Sequence, residues 1–332
     1  IQSAQLARAS DVHLDPRADG VKVRLRIDGV LQDFYDLPNA VHNETISRIK
    51  ILCGLRTDEH QAAQDGRFRV LLDTSRNVDV RVSIVPTYYG ENAVMRLLAD
   101  TAEDFTLDSL GFTKENQSKI LRAIAKPYGM ILATGPTGSG KTTTLYTLVK
   151  MLNNPGISVL TIEDPVEYAI SGINQIQVNA RTGLTFVNGL RSMLRQDPNV
   201  IMVGEIRDMD TAGLAVNTAL TGHLVLSTLH TNDAPTTLPR LLDMKVEPYL
   251  IASTVNIAIG QRLVRKICTF CKEDKKNTQA EEKSLSEIMP AELLEKHLIF
   301  HAGAGCDRCN GTGYHGRAGL HEVMVIDGPI RE

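Results

Sequence analysis

Apolar and polar positions change rhythm once along the chain, near residue 100. Before that point apolar and charged residues alternate. VKVRLRI (21–27) is apolar at every second position, as a half-buried strand is. Asp28–Gly29 then supplies hairpin-turn chemistry, and VLQDF reads as the returning strand. A helical pattern covers about 40–53, and GRFRVLL (66–72) and NVDVRVSIV (77–85) read as two further strands. The expectation is a small α+β domain over residues 1–99. LADTAEDFTLDSLG (98–111) is polar and acidic, so 100–111 reads as a linker. From Phe112 short apolar runs replace the alternation. A helix over about 113–126, with Thr113 as its N-cap, precedes the strands MILAT (130–134), SVLTI (158–162), VIMV (200–203) and LVLST (224–228). Helical stretches separate these strands, which predicts an α/β domain over 112–332 with a mainly parallel sheet.

One stretch of that second domain carries chemistry openly. In ATGPTGSGKTTTLYTL (133–148), Gly135, Gly140, Lys141 and Thr142 satisfy G-x-x-x-x-G-K-[ST] between a strand and a helix. The glycines let backbone N–H groups turn toward a triphosphate, and the helix points its positive end at the same anion. Gly135, Pro136, Thr137, Gly138, Ser139, Gly140, Lys141, Thr142 and Thr143 are therefore the predicted ATP-binding residues. Lys141 would reach the β- and γ-phosphates, and the Thr142 hydroxyl would hold Mg²⁺. A chance match in a glycine-rich turn is the competing reading, and the flanking strand and helix argue against it.

Hydrolysis needs acids as well. TIEDPVE (161–167) is an apolar strand ending in Glu163, Asp164 and Glu167. NVIMVGEIRD (199–208) is another; Gly204 stands where an aspartate is usual, and Glu205 follows. In a parallel sheet such strand ends gather along the edge where ligands bind. Acids that merely cap helices are the alternative for each site taken alone. TGHLVLSTLHTND (221–233) places His223 and His230 at the two ends of one strand, and His230 could hydrogen-bond a γ-phosphate.

Composition narrows the function classes. The chain of 332 residues is 42% hydrophobic and 23% charged, with net charge −3, no Trp and 5% aromatics. A balance this neutral and poor in aromatics argues against a nucleic-acid binder. The longest apolar candidate, YLIASTVNIAIG (249–260), is too short to span a bilayer and contains Asn256. The opening IQSAQLARASDVH has no basic start followed by an apolar run, so no signal peptide is expected, and the abrupt ends suggest a piece of something longer.

GPTGSGKTTTLY, TIEDPVEY, LRQDPNVIMVGEIRD and TGHLVLSTLHTN together resemble the phosphate loop, aspartate box, variant second motif and histidine box of the bacterial secretion ATPases. That family drives type II secretion and type IV pilus assembly. SDVHLDP, RLRIDGVLQDF and AQDGRF extend the resemblance over nearly the whole chain. It implies a homo-hexameric, cytoplasmic Mg-ATP-hydrolysing motor with a RecA-like P-loop ATPase domain behind a smaller PAS-like domain. It also implies partners: an inner-membrane platform and a cytoplasmic-face docking protein, with no nucleic acid. The resemblance also leads one to expect that a further amino-terminal docking region, usual in the family, falls outside these residues and that the carboxyl end is trimmed. By the resemblance Glu163 activates water, Glu205 organises Mg²⁺, and His230 senses the γ-phosphate. A nucleic-acid translocase of similar fold and a nucleotide-gated scaffold without turnover are the competing classes.

Arginine and cysteine usage add to this. Residues 1–100 hold eleven Arg against two Lys, a bias toward the planar fork that suits phosphate and carboxylate. The resemblance singles out Arg81 and Arg96 as arginines that reach from the small domain toward nucleotide. Arg191 and Arg195, four apart, share a helix face, and Arg207 follows Glu205. Surface ion pairs are the alternative for all of these. Cys268 and Cys271 form CTFC, and Cys306 and Cys309 form CDRC. Two C-x-x-C turns point to one tetrahedral Zn²⁺ in a subdomain over 264–318; two disulfides are the alternative, disfavoured in a reducing compartment. The charged run between the pairs (272–296) reads as a helical protrusion, and Cys53, alone in an apolar helix, reads as core.

Overall fold

Alternation over the first hundred residues builds a sheet with one apolar and one charged face. Helix α1 (Gln2–Leu6) precedes β1 (Ala9–Pro16), β2 (Val21–Ile27) and β3 (Val30–Leu37); α2 (His42–Cys53) then leads to β4 (Gln64–Asp73), β5 (Arg76–Thr87) and β6 (Gly90–Ala99). All six strands pair antiparallel, in the order β3-β2-β1-β6-β5-β4. Asp28 and Gly29 both take positive φ (50° and 85°), as the tight β2–β3 hairpin requires. Phe68, Val78, Val80, Val82, Ile84 and Met95 pack with Ile46 and Ile49 of α2 on the apolar face. Residues on the other face include Arg67, Arg81 and Arg96, which stand abreast on β4, β5 and β6. Cys53 is partly buried against this core.

The computed structural model describes residues 1–73, 76–99, 105–289 and 300–332. Its contacts divide the chain into two compact units, Ile1–Arg262 with Gly319–Glu332, and Leu263–Ala318. Residues 100–104 of the expected linker lie outside the described residues, but Leu107 and Phe112 are buried with the second sheet, so the polar stretch ends as part of that core.

The second sheet follows the short apolar runs. Helix α3 (Lys114–Ile124) starts at Thr113, whose hydroxyl accepts the Asn116 N–H. Then come β7 (Gly129–Thr134), α4 (Lys141–Leu152), β8 (Val159–Glu163), β9 (Asn174–Gln177), α5 (Phe186–Met193), β10 (Val200–Val203), α6 (Met209–Leu220) and β11 (Leu224–Leu229). Helices α7 (Thr237–Asp243) and α8 (Pro248–Thr254) lead to β12 (Val255–Ile267). The seven-stranded order is β15-β12-β7-β11-β10-β8-β9, with β15 (Tyr314–Val325) at one edge; from β12 to β9 every pair is parallel. Strands β7, β8, β10 and β11 are buried along their whole length, which is why they read as unbroken apolar runs. The apolar run 249–260 switches from α8 to β12 at Val255. No helix among the described residues is long and apolar enough to cross a membrane.

In the unit Leu263–Ala318, the charged run is not uniformly helical. Its start forms β13 (Lys272–Lys275), paired antiparallel with β14 (Phe300–Gly303). Helix α9 (Gln279–Ile288) follows, begun by a Thr278–Glu281 capping box. The expected protrusion beyond Met289 falls on residues 290–299, outside those described.

Candidate functional site

The chain leaves β7 at Thr134 and turns through Gly135, Gly138 and Gly140, all left-handed (φ 139°, 78° and 88°), before α4 begins at Lys141. Successive glycines in this region turn backbone N–H groups to one side, toward which the helix also points its positive end. Lys141 is only 8% exposed, and its Nζ donates to Gly135 O (2.7 Å) and Pro136 O (3.1 Å). Burial lowers its pKa, and the Glu205 charge opposes that. The Ser139 hydroxyl is buried with no hydrogen-bond partner among the described residues, and open space lies beside Gly138. A buried cation, an uncommitted hydroxyl and a ring of glycines suit a polyphosphate. Side-chain ties hold the loop's frame: Thr134 bonds Thr231, and the Thr144 hydroxyl donates to Gln261 Oε1 (2.9 Å).

Parallel order does the rest. Strands β7, β11, β10 and β8 lie side by side and run the same way, so His230, Glu205 and Glu163 emerge along the edge that carries the loop. Glu205 places Oε1 2.6 Å from Arg207 and Oε2 3.2 Å from His230 Nε2. His230 thus meets Glu205 directly, and Lys141 feels the same charge. His223 sits at the other end of β11, its Nδ1 against Thr218 O (3.1 Å). Arg191 and Arg195 lie at the end of α5, where Arg195 Nη1 donates to Arg191 O (3.1 Å).

Glu163 reaches the same edge differently. Its strand lies three strands from the loop strand, about 14 Å at ordinary strand spacing. Its carboxylate is buried: Oε1 accepts from Thr161 (2.5 Å) and Gln175 (3.2 Å), and Oε2 from the Tyr146 hydroxyl. Burial raises its pKa against the pull of these three donors. Tyr146 and Gln175 escaped the sequence reading. Each is one polar residue in a helix or a short strand, and nothing local reveals its distant partner.

The small sheet's arginines meet the segment that follows Glu163. Arg81 Nη2 donates to Val166 O (2.7 Å), and Nη1 lies 3.5 Å from Glu167. Arg96 stays within its own sheet, with Nε donating to Asp11 (3.0 Å). Both line a cleft of about 1040 Å³ whose far wall includes Asp164, Pro165, Val166 and Glu167. Arg67, abreast of them, lines the same cleft and was not singled out by the sequence.

In the unit Leu263–Ala318, the four predicted cysteines converge. Their sulfurs lie within 4.8 Å of one another, with separations of 3.9 Å (268–306), 3.8 Å (271–309) and 3.7 Å (306–309). A tetrahedral site with metal–sulfur bonds of about 2.3 Å has sulfur–sulfur edges of about 3.8 Å. All five cysteines are free, so the disulfide alternative does not describe this cluster. The Cys306 and Gly313 N–H groups point at Cys309 Sγ (3.2 and 3.3 Å), the outer bonds that orient a ligating thiolate.

Comparison with known proteins agrees with this geometry. Residues 1–332 match the family model described as type II/IV secretion system protein. A type IV pilus assembly ATPase, PilB, of Thermus thermophilus is 47% identical over 331 residues, which are 100% of this chain and 37% of the relative. A type II secretion system ATPase E of Vibrio cholerae is 45% identical over 324 residues, 98% of this chain and 63% of the relative. The chain thus spans less than two thirds of either relative's length. Among solved structures, the pilus retraction motor PilT with bound ADP superposes with a TM-score of 0.67 at 26% identity, covering 99% of this chain and 83% of that one. The Legionella pneumophila ATPase DotB shares the fold, with a TM-score of 0.70 at 22% identity over 99% of this chain and 80% of that one.

Proposed function

Because the chain belongs to the type II/IV secretion system protein family, we propose that it is the ATP-hydrolysing body of a motor that powers assembly of pilin-like subunits, in type IV pilus extension or type II secretion. One arrangement carries this reading: a glycine loop with a buried lysine, followed on the next three strands by His230, Glu205 and Glu163 at the same sheet edge. The residue roles follow from it. Lys141 and the backbone N–H groups of 137–143 grip the β- and γ-phosphates. Thr142 and Glu205 are the side chains that would hold Mg²⁺, which when bound neutralises phosphate charge. Glu163 takes the proton of the attacking water, and His230, hydrogen-bonded to Glu205, registers the γ-phosphate. Arg81 carries the response of the small domain, 1–99, to the ATPase domain, 112–332, which follows the linker 100–111, across a cleft that Arg96 also lines. The four thiolates of Cys268, Cys271, Cys306 and Cys309 would hold one structural Zn²⁺ within 264–318. The working form is a homo-hexamer on the cytoplasmic face of the inner membrane, held there by a platform and a docking protein.

The test is Mg-ATP turnover by the purified full chain. Lys141→Ala and Glu205→Gln should abolish hydrolysis. Glu163→Gln should keep ATP binding and lose turnover by about 10²–10⁴-fold, the ordinary worth of a general base. Normal turnover in Glu163→Gln would support a nucleotide-gated scaffold instead. Stimulation by single-stranded DNA would support a nucleic-acid translocase.

A further inference from the structure

We propose that Tyr146, together with Gln175, is a positioning residue for Glu163: it holds the carboxylate closed against the phosphate-loop helix and yields it to water when segment 164–170 moves. The inference rests on the reading of Glu163 as the group that activates water.

A general base must present an oxygen to its water. Glu163 is 2% exposed and both its oxygens are occupied. Of the three donors, Thr161 sits two residues earlier on β8 and travels with Glu163. The other two come from elsewhere: Gln175 from β9 and Tyr146 from α4, whose first residue is Lys141. Tyr146 therefore ties the carboxylate to the helix that begins at the phosphate loop.

Both outside donors are also fastened to the segment beyond β8. The Tyr146 oxygen accepts the Glu167 N–H (3.2 Å). Gln175 Nε2 donates to Tyr168 O (3.1 Å), and its Oε1 accepts the Ile170 N–H (2.7 Å). Arg81 of the small sheet holds Val166 O and faces Glu167. A shift of this segment loosens Tyr146 and Gln175 together and frees oxygen lone pairs on Glu163.

The charged and titratable surroundings are few. Tyr146 belongs to α4, as does Lys150, which lies over the Tyr168 ring at 5.6 Å. Glu167 and Tyr168 belong to the segment, and Tyr168 packs edge-on to Tyr146 at 4.7 Å. Strand β9 presents the neutral Gln175, and beyond β10 the neutral Gly204 packs on Glu163 Cα. Burial and the neighbouring Glu163 push the Tyr146 phenol far up, so it stays a donor.

An O–H that donates to a carboxylate favours the ionised form, so removing it raises the carboxyl pKa. Tyr146→Phe should move the acid limb of the kcat profile up by about one pH unit, the worth of one hydrogen bond to a charged group. The KM for ATP should change less than twofold. Gln175→Met removes the other outside donor, keeps Tyr146 and should shift the limb the same way; it decides the matter if Tyr146→Phe does not fold. An unmoved acid limb, with Glu163→Gln inactive, overturns the positioning role and leaves the proposed function standing. Full turnover in Glu163→Gln overturns the role assigned to Glu163, and this inference with it.

Discussion

Gly204 occupies the place where an aspartate usually ends an apolar strand, and packing explains it. A Cβ there would lie 3.3 Å from Glu163 Cα and 3.3 Å from Ile162 O, both backbone atoms that cannot swing aside. The Gly204 N–H donates to the same Ile162 O at 2.8 Å. The missing side chain lets the tips of β10 and β8 press together. Gly204→Ala should therefore cost about 1–3 kcal/mol by overpacking, read by chemical denaturation, and Gly204→Asp should cost more. An alanine variant as stable as the parent would refute this account. Gly135 is more constrained: at φ 139° a Cβ would fall 2.2 Å from Gln261 O. Gly135→Ala should remove Mg-ATP binding in a calorimetric titration. Gly135 was legible in the sequence because the loop's spacing is a local rule. The reason for Gly204 was not, because its neighbours lie on a strand some forty residues earlier.

Elements were legible where burial is uniform. The predicted runs 130–134, 200–203 and 224–228 return as β7, β10 and β11 within a residue, because a strand buried on both faces leaves no polar position to blur its ends. Strands made on other terms went unread. β1 (ASDVHLDP) carries its polar residues into a charged network, and β9 is four residues of NQIQ. The unit Leu263–Ala318 contributes no residue to the three hydrophobic clusters among the described residues. A segment without an apolar core needs another source of order, and the four thiols are placed to supply it. Cys306→Ser or chelation should strip one zinc per chain and raise hydrogen exchange across 263–318, with ATP binding at the loop retained. Exchange unchanged by metal loss would count against the structural role. A second element-level device joins Phe112 to β15: His321, its ring nitrogens buried, stacks on the Phe112 ring at 3.6 Å. Burial pulls its pKa from 6.5 down to about 4. The unfolded chain binds that proton first, so the stability this histidine contributes is complete above pH 6.5 and is lost as pH falls toward 4. His321→Leu should flatten the slope of unfolding free energy over that window.

At the scale of the whole Ile1–Arg262 body, the contact that matters joins two sheets by one arginine. Strand order could not be read from the sequence: that β8 lies three strands from β7, and that Arg81 faces the residues after β8, are long-range facts with no local signature. Arg81 holds Val166 O, Glu167 donates its N–H to Tyr146, and Tyr146 donates to Glu163. If this chain of bonds transmits the position of the small sheet to the buried carboxylate, removing either end should make the other end matter less. Arg81→Ala should lower kcat by about tenfold with ATP affinity nearly unchanged, since Arg81 grips the segment rather than the phosphate loop. In a Tyr146→Phe background the same substitution should cost much less. The double-mutant cycle on kcat should return a coupling of about 1 kcal/mol or more, the range for residues in one hydrogen-bonded network. Strict additivity would mean that Arg81 acts by another route, and a large loss of ATP affinity in Arg81→Ala alone would place that route at the nucleotide itself.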